Sequence, residues 1–116
     1  MRHLIYTLER KPNRILLKAH WYDSTGNGET TLGSLRGWKA RMISSAFDNC
    51  DGSWEDAMKV LIAIKGVSAC RSRWGAEKLI DTIKVMELGE AHFWASKIIT
   101  DGKKAPSALK KLYGVS

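Results

Sequence analysis

The chain has 116 residues, of which 44% are hydrophobic and 27% are charged, and its formal net charge is +7. This composition excludes a largely disordered chain, and the length predicts one domain over residues 1–116. The positive charge is uneven, because residues 1–20 and 59–86 each carry +4 whereas residues 21–58 carry −3. Such asymmetry favours an anionic partner, and nucleic acid before a membrane surface.

The cysteines and the N-terminus indicate the compartment. Only Cys50 and Cys70 occur, too few and too far apart for a disulfide framework or a zinc site. We therefore expect buried or partly buried thiols in a reducing compartment, with no metal and no other cofactor. The apolar run in MRHLIYTLER is too short for a signal peptide, and no stretch is long enough to span a membrane. The sequence predicts a cytoplasmic protein without a membrane partner.

Two β-rich runs begin the chain, HLIYTLE and RILLKAHWY, with RKPNR between them. Pro12 and Asn13 favour a turn, so the pattern predicts a β-hairpin over residues 3–22 with a basic turn. Alternation places seven apolar side chains on one inner face, namely Leu4, Tyr6, Leu8, Ile15, Leu17, Ala19 and Trp21. Because two strands alone are marginally stable in water, helices must cover this face.

The rest of the chain is predicted to be helical. Residues 23–31, DSTGNGETT, are typical of a loop, and helical spacing of apolar residues begins at Leu32. The helical part is expected over residues 32–113 in four to five helices, the first of which ends at Phe47. The sequence thus predicts an α+β protein in which an N-terminal β-hairpin packs on a helical bundle.

Two serines mark further helix starts. Ser53, followed by Asp56, predicts an N-cap for WEDAMKVLIAIK, the most apolar helix, which Gly66 is expected to stop. Ser72 predicts the cap of a helix that runs to Met86. Two more helices are predicted in AHFWASKIITD and in APSALKKLYG.

The stretch IKGVSACRSRWGAEKLI at residues 64–80 allows two interpretations. In a helix-hairpin-helix, a glycine turn would present backbone N–H groups to a phosphate, with Lys65, Arg71 and Arg73 adding charge. In the alternative it is a plain turn between two helices, with both arginines on the surface. The plain turn is favoured because Ser68 replaces the second glycine of the hairpin pattern and extra residues precede the second helix.

Catalytic chemistry has no motif in this sequence. His3, His20 and His92 are dispersed and match no spacing of metal ligands on one element. A nucleophile pair of Cys50 or Cys70 with His92 would arise only in space, with no local support. We therefore expect no enzymatic activity and no small-molecule substrate.

Five tryptophans are many for this length. Trp38 lies among three cations and Trp74 follows Arg73, a pattern typical of aromatic residues that stack on unpaired bases. Trp38 also fits the core stripe of a helix, which is the interpretation we favour. Trp74 is the least explained by a core, and it could instead anchor a protein interface.

A family resemblance rests on the C-terminal third of the chain. GEAHFWASKI at 89–98 is followed after a basic gap by ALKKLYG at 108–114, and VLIAIKG and the N-terminal hairpin precede them. The pattern resembles a small uncharacterised prokaryotic family whose genes tend to lie among phage-defence genes. The resemblance implies a bacterial or archaeal cytoplasmic protein that serves a larger nucleic-acid-handling system in antiviral defence. Its motifs are of a structural kind, so no functional residue is carried over.

Two functions therefore remain open. The first is a non-catalytic nucleic-acid-binding accessory subunit of a larger complex, which contacts the backbone of DNA or RNA. Its candidate contact residues lie at three turns or ends, and they are Arg10, Lys11, Arg14, Lys65, Arg71, Arg73, Trp74, Lys103, Lys104, Lys110 and Lys111. The second is a protein-interaction module or adaptor, in which the hairpin edge or Trp74 docks on a larger enzyme without nucleic-acid contact.

Overall fold

The computed structural model describes residues 2–48, 50 and 52–101, and it has a three-stranded antiparallel sheet packed against four helices. The strands, in the spatial order β1-β2-β3, are β1 (His3–Lys11), β2 (Arg14–Asp23) and β3 (Gly26–Arg36). The helices are α1 (Gly37–Ala46), α2 (Trp54–Ser68), α3 (Arg73–Lys84) and α4 (Leu88–Asp101). The predicted α+β class is confirmed. The helix predicted in APSALKKLYG lies outside the described residues.

The predicted hairpin is confirmed, but its predicted inner face is core only in part. Pro12 and Asn13 form the turn, and the register of β1 and β2 places Leu8 opposite Leu17. Both leucines are buried, whereas Leu4, near the other end of β1, is 52% exposed. The inner face is therefore part of the core near the turn between β1 and β2. At the other end of the two strands, around Leu4, the same face is exposed, and we call this end the open end.

The third strand corrects the sequence analysis, which predicted a loop over 23–31 and a helix from Leu32. Residues 26–36 instead pair with β2 along its length, with one irregularity between Leu17 and Lys18. The helical part consequently begins at Gly37 and not at residue 32.

Two glycines allow β3 to lie close to its neighbours. A Cβ atom added at Gly28 would meet the ring of Trp21, 2.5 Å from Nε1, and one added at Gly33 would lie 3.1 Å from the Ile64 side chain. Glycine weakens a strand and carries no side chain to mark it, so local sequence gives little sign of β3. Pairing with the central strand β2 determines its conformation.

The two predicted serine caps are confirmed. Ser53 Oγ accepts a hydrogen bond from the Asp56 N–H at 3.3 Å, and Ser72 Oγ accepts one from the Gly75 N–H at 3.1 Å. Each cap satisfies a backbone donor that the first turn of a helix leaves without an intrahelical partner. The starts of α2 and α3 are therefore encoded locally.

The prediction that Gly66 stops the second helix is wrong. Gly66 lies inside α2, which continues to Ser68, and a Cβ atom added at Gly66 would overlap Cδ2 of the fully buried Leu79. The glycine therefore permits close packing of α3 on α2. Because Gly66 is buried in this contact, it cannot present a phosphate-binding turn, which rules out the helix-hairpin-helix interpretation. Residues 69–72 form the plain turn between the two helices.

The core is built around α2, most of whose residues are buried. The largest fully buried side chains come from all layers, and they include Ile15 and Leu17 of β2, Ile43 of α1, Leu61 of α2 and Leu79 of α3. The most apolar predicted helix is thus the central one. None of the four described helices combines the length and the apolar composition that crossing a membrane requires.

Candidate nucleic-acid interface

The hairpin turn lies against the start of α1. The Gly37 N–H donates to the carbonyl oxygen of Asn13 at 3.0 Å, and the Arg41 guanidinium donates to Asn13 Oδ1 at 3.0 Å. Gly37 has φ of 68°, in the left-handed region that glycine adopts without strain, and this conformation turns the chain from β3 into α1. Two separate stretches of chain, the hairpin turn and the first turns of α1, therefore share one surface.

Two arginines lie opposite each other on this surface. Arg14 begins β2 and pairs in register with Arg36, the last residue of β3 and the N-cap of α1. The Nε atom of Arg14 is buried and has no hydrogen-bond partner in the described part of the chain. Arg36 gives α1 no side-chain cap, and the first turn of α1 contains no acidic residue. Like charges directly opposite on adjacent strands are unfavourable, so this pair destabilises the isolated sheet.

Trp38 connects the start of α1 with the start of α3. The guanidinium carbon of Arg73, the first residue of α3, lies 5.7 Å from the centre of the Trp38 ring. Lys39 Nζ lies 5.6 Å from the same ring and donates to the Ser68 carbonyl oxygen at 3.0 Å. The first turn of α3 also lacks an acidic residue. Two helix starts, each with a partial positive charge, therefore lie side by side.

We define the basic end as Arg14, Arg36, Lys39, Arg41 and Arg73. Among the described residues, none of these five side chains has a carboxylate oxygen within 4.0 Å. Elsewhere in the described chain a carboxylate lies within that distance of Arg2, Arg10, Lys11, Lys18 and Lys97, whereas Lys59, Lys65, Arg71, Lys78 and Lys84 also have none. The basic end differs from these single cations because the strand pairing and the helix packing bring five cations to one end of the sheet. Positive charge at the basic end is therefore not compensated by salt bridges within the described chain.

Arg10, a predicted contact residue, has intramolecular partners. Its guanidinium donates to Ser44 Oγ and to the Phe47 carbonyl oxygen, both at 2.8 Å, and lies 3.9 Å from Asp48. These bonds attach β1 to the C-terminal end of α1. Arg10 therefore lies at the opposite end of α1 from the basic end.

Lys11 lies beside the basic end. It pairs in register with Arg14, and its Nζ is 3.7 Å from Glu9 Oε1. Lys18 Nζ lies 2.8 Å from Glu9 Oε2 and 3.3 Å from Glu29 Oε1. The hydrogen bond that Lys18 donates to Glu9 lowers the pKa of Glu9 below its ordinary value, and the hydrogen bonds that Lys18 donates to Glu9 and Glu29 raise the pKa of Lys18. We call these ion pairs of Lys11, Glu9, Lys18 and Glu29 the charge ladder. It compensates positive charge on the outer face of the sheet next to the basic end.

The other predicted contact residues lie around the turn between α2 and α3 or beyond α4. Arg71 is exposed in the turn, and Lys65 is half-buried in the last turn of α2. Trp74 is 59% exposed, and the Nζ atom of Lys78 lies 4.4 Å from its ring centre. Of the predicted contact residues around the turn between α2 and α3, Arg73 alone belongs to the basic end. The four C-terminal lysines lie outside the described residues, namely Lys103, Lys104, Lys110 and Lys111.

Sequence reasoning named Arg36, Lys39 and Arg41 only as neighbours of Trp38 and did not assign them a contact. The reason is the missed strand, because a helix from Leu32 would place Arg36 in mid-helix, remote from Arg14. One local signal was available, since residues 36–41 contain three cations and no acid. Trp38 itself is half-buried against the core, as predicted.

Both cysteines are at least partly buried, and His20 makes a hydrogen bond across the sheet. Cys70 is buried with Sγ 3.5 Å from the Gly66 carbonyl oxygen, and Cys50 is half-buried, so the predicted buried or partly buried thiols are confirmed. His20 Nε2 and Thr7 Oγ1 are hydrogen-bonded at 3.0 Å. Within residues 2–48, 50 and 52–101, no group of three or more His, Cys, Asp or Glu side chains is arranged to hold a metal ion.

Fold and site together define a small α+β domain with a cationic surface at the end of its sheet. Comparisons with protein-family models, with curated proteins and with solved structures found no match. The resemblance to a prokaryotic family encoded among phage-defence genes therefore stays a prediction.

Proposed function

We propose that this protein is a non-catalytic nucleic-acid-binding subunit that contacts phosphate groups through the basic end. The observation that carries this proposal is the grouping of five uncompensated cations at the basic end. Its five cations come from β2, from β3 and α1, and from α3, and among the described residues no carboxylate oxygen lies within 4.0 Å of them. A surface of this kind is suited to a polyanion.

Helix geometry supports phosphate as the bound group. The N-terminus of a helix carries partial positive charge and backbone N–H groups that bind anions, and cations placed there are unfavourable in isolation. α1 and α3 both begin at the basic end without an acid in the first turn. A phosphate bound there would relieve the repulsion among the arginines and the two helix starts.

The proposed setting is a larger prokaryotic nucleoprotein complex of the antiviral-defence type, in the cytoplasm. The family resemblance and the small size of the basic end support it. About five phosphate contacts correspond to non-specific binding with a Kd of roughly 10⁻⁴ to 10⁻⁶ M at physiological salt. Such weak binding needs a partner that supplies targeting, which is the role of a larger complex.

Direct binding at low salt tests this proposal. Fluorescence anisotropy would measure binding to labelled single-stranded and double-stranded DNA and RNA. We expect the wild type to bind and R36E/R41E, a double charge reversal, to lose at least about tenfold in affinity. The matched control K78E/K97E changes the net charge equally outside the basic end and should bind almost as well as the wild type. Failure to bind any nucleic acid, or an equal loss in both variants, would overturn the proposal.

A protein-interaction module is the second candidate. The exposure of the open end of the sheet favours it, with Leu4 52% and Tyr22 46% exposed, as does Trp74 at 59%. Because the open end lies at the far end of the strands from the basic end, both surfaces are accessible at once. A protein partner that stays bound in high salt, together with no nucleic-acid binding in low salt, would replace the first proposal with this one.

A further inference from the structure

A groove of about 560 Å³ runs between α1 and α3 and begins at the basic end. Its apolar surface comes from Trp38 and Met42 of α1 and from Ile80 of α3, and three cations line it as well, namely Arg41, Arg73 and Lys84. Ligand sites for small organic groups have volumes of roughly 300–1,000 Å³ and mostly apolar walls with a few polar groups. The groove is therefore large enough for a nucleotide.

Two carboxylates line the same groove. Glu77 and Asp81 lie four residues apart on α3, and neither has a cationic nitrogen within 4.0 Å among the described residues. Like charges at this spacing destabilise a helix slightly, and Arg73 and Lys84, one turn before and one turn after them on α3, offset this effect. They would also repel phosphate, so a surface that bound phosphate alone would gain nothing from them. Ionised carboxylates accept hydrogen bonds, so Glu77 and Asp81 are suited to a ligand that carries N–H donors.

Guanine is the base whose edge fits a carboxylate best. Its Watson–Crick edge presents N1–H and the N2 amino group side by side, so one carboxylate can accept both hydrogen bonds. Adenine and cytosine each present one exocyclic amino group on that edge and no adjacent ring N–H, and base pairing hides the edge in a duplex. We propose that the groove between α1 and α3 binds an unpaired guanine of single-stranded nucleic acid, held by Glu77 and Asp81.

The neighbouring side chains complete the site. Arg73 lies one helical turn before Glu77, so a phosphate at the basic end is followed along the groove by a carboxylate. The arginine side chain and the Trp38 ring, 5.7 Å apart, offer flat groups of the kind on which bases stack. This inference rests on the proposed function, because the groove takes the base of a chain whose phosphates contact the basic end.

Base analogues test the proposal. The probes are short adenine-rich single strands, made as DNA and as RNA, with a central guanine, adenine, inosine or 7-deazaguanine. Inosine lacks the N2 amino group, whereas 7-deazaguanine keeps the whole Watson–Crick edge. We expect guanine and 7-deazaguanine to bind about 5- to 150-fold more tightly than adenine, with inosine in between. The DNA and RNA arms distinguish the two sources of the base.

Neutral variants assign the preference to the groove. E77Q/D81N should lose the preference for guanine while binding the guanine-free strand at least as well as the wild type. E90Q, which removes a carboxylate on α4, should keep the preference, and circular dichroism checks that each variant is folded. Equal binding of all single strands by the wild type would overturn the guanine site alone. Absence of binding to every strand would overturn the proposed function as well.

Discussion

Arg14 and Arg36 lie directly opposite each other on β2 and β3, although both are cations and the Arg14 Nε is buried with no hydrogen-bond partner in the described part of the chain. Arg36 is also the N-cap of α1, where a positive charge opposes the helix dipole. Two unfavourable electrostatic arrangements therefore coincide at one residue. Such a residue costs stability in the isolated protein, and the proposed binding of an anion would offset this cost.

Replacement of Arg36 by Glu should stabilise the protein and weaken nucleic-acid binding. The carboxylate would face Arg14 across the strands and would suit the start of α1, a gain of about 0.3–1 kcal/mol at low ionic strength. Thermal unfolding should show a higher Tm that returns toward the wild-type value in 1 M salt, because surface charge interactions are screened there. A lower Tm in the folded variant would contradict the electrostatic account of this residue.

Arg10 should behave in the opposite way. Arg10→Ala removes the hydrogen bonds to Ser44 and Phe47 and should cost about 1–2 kcal/mol of stability while leaving nucleic-acid affinity unchanged. Urea unfolding and anisotropy would measure the two effects on the same samples. Arg71→Ala is the matched control for stability, since Arg71 is exposed in the turn before α3. If the folded Arg10→Ala variant lost nucleic-acid affinity, Arg10 would have to be counted among the contact residues.

Gly66 should tolerate no methyl group, because the added Cβ would overlap the buried Leu79 side chain. Overpacking of this kind costs roughly 1–3 kcal/mol, of which the better helix propensity of Ala recovers about 1 kcal/mol. Gly89→Ala in α4 is the control, since a Cβ there would meet nothing within 4 Å. Urea unfolding should show Gly66→Ala to be less stable than Gly89→Ala. Equal stability would mean that α3 can move away from α2 without loss.

The charge ladder on the outer face of the sheet predicts that the stability of the protein depends on pH in the acidic range. The pKa of Glu9 is lowered in the folded state, chiefly by its hydrogen bond with Lys18. At pH values between the lowered pKa and the ordinary one, the folded protein therefore binds fewer protons than the unfolded chain. The stabilisation is present above the ordinary pKa of 4.5 and is lost as pH falls through the lowered value. Glu9→Gln should flatten this part of the curve of Tm against pH. An unchanged curve would show that the charge ladder adds nothing in solution.

Several elements could be predicted because their signals are local. The period-2 alternation of β1 and β2 gave the inner face of the hairpin, and Ser53 and Ser72 gave two helix starts. β3 could not be predicted in this way, because its glycines are required by neighbours distant in sequence, such as Ile64 beside Gly33. Gly66 was misjudged for the same reason, since its partner Leu79 lies on another helix.

The basic end could be predicted only in part. Arg14 and Arg73 were named from the charge of two turns, but their meeting with Arg36 and Lys39 depends on the pairing of β3 with β2 and on the packing of α1 beside α3. Arg10 was grouped with Arg14 because they are near in sequence, whereas strand alternation places their side chains on opposite faces of the sheet. The charge of the sequence therefore indicated which turns carry the basic end, whereas the tertiary structure was needed to identify the residues that form it.

The salt dependence of nucleic-acid binding tests the central claim most directly. If the five cations of the basic end contact phosphates, a plot of log affinity against log salt for a single strand should have a slope of about −3.5. R36E/R41E should reduce it to about −2, and K78E/K97E should leave it unchanged. Affinity that does not change with salt, or a slope that is the same in all three proteins, would contradict binding of phosphates at the basic end.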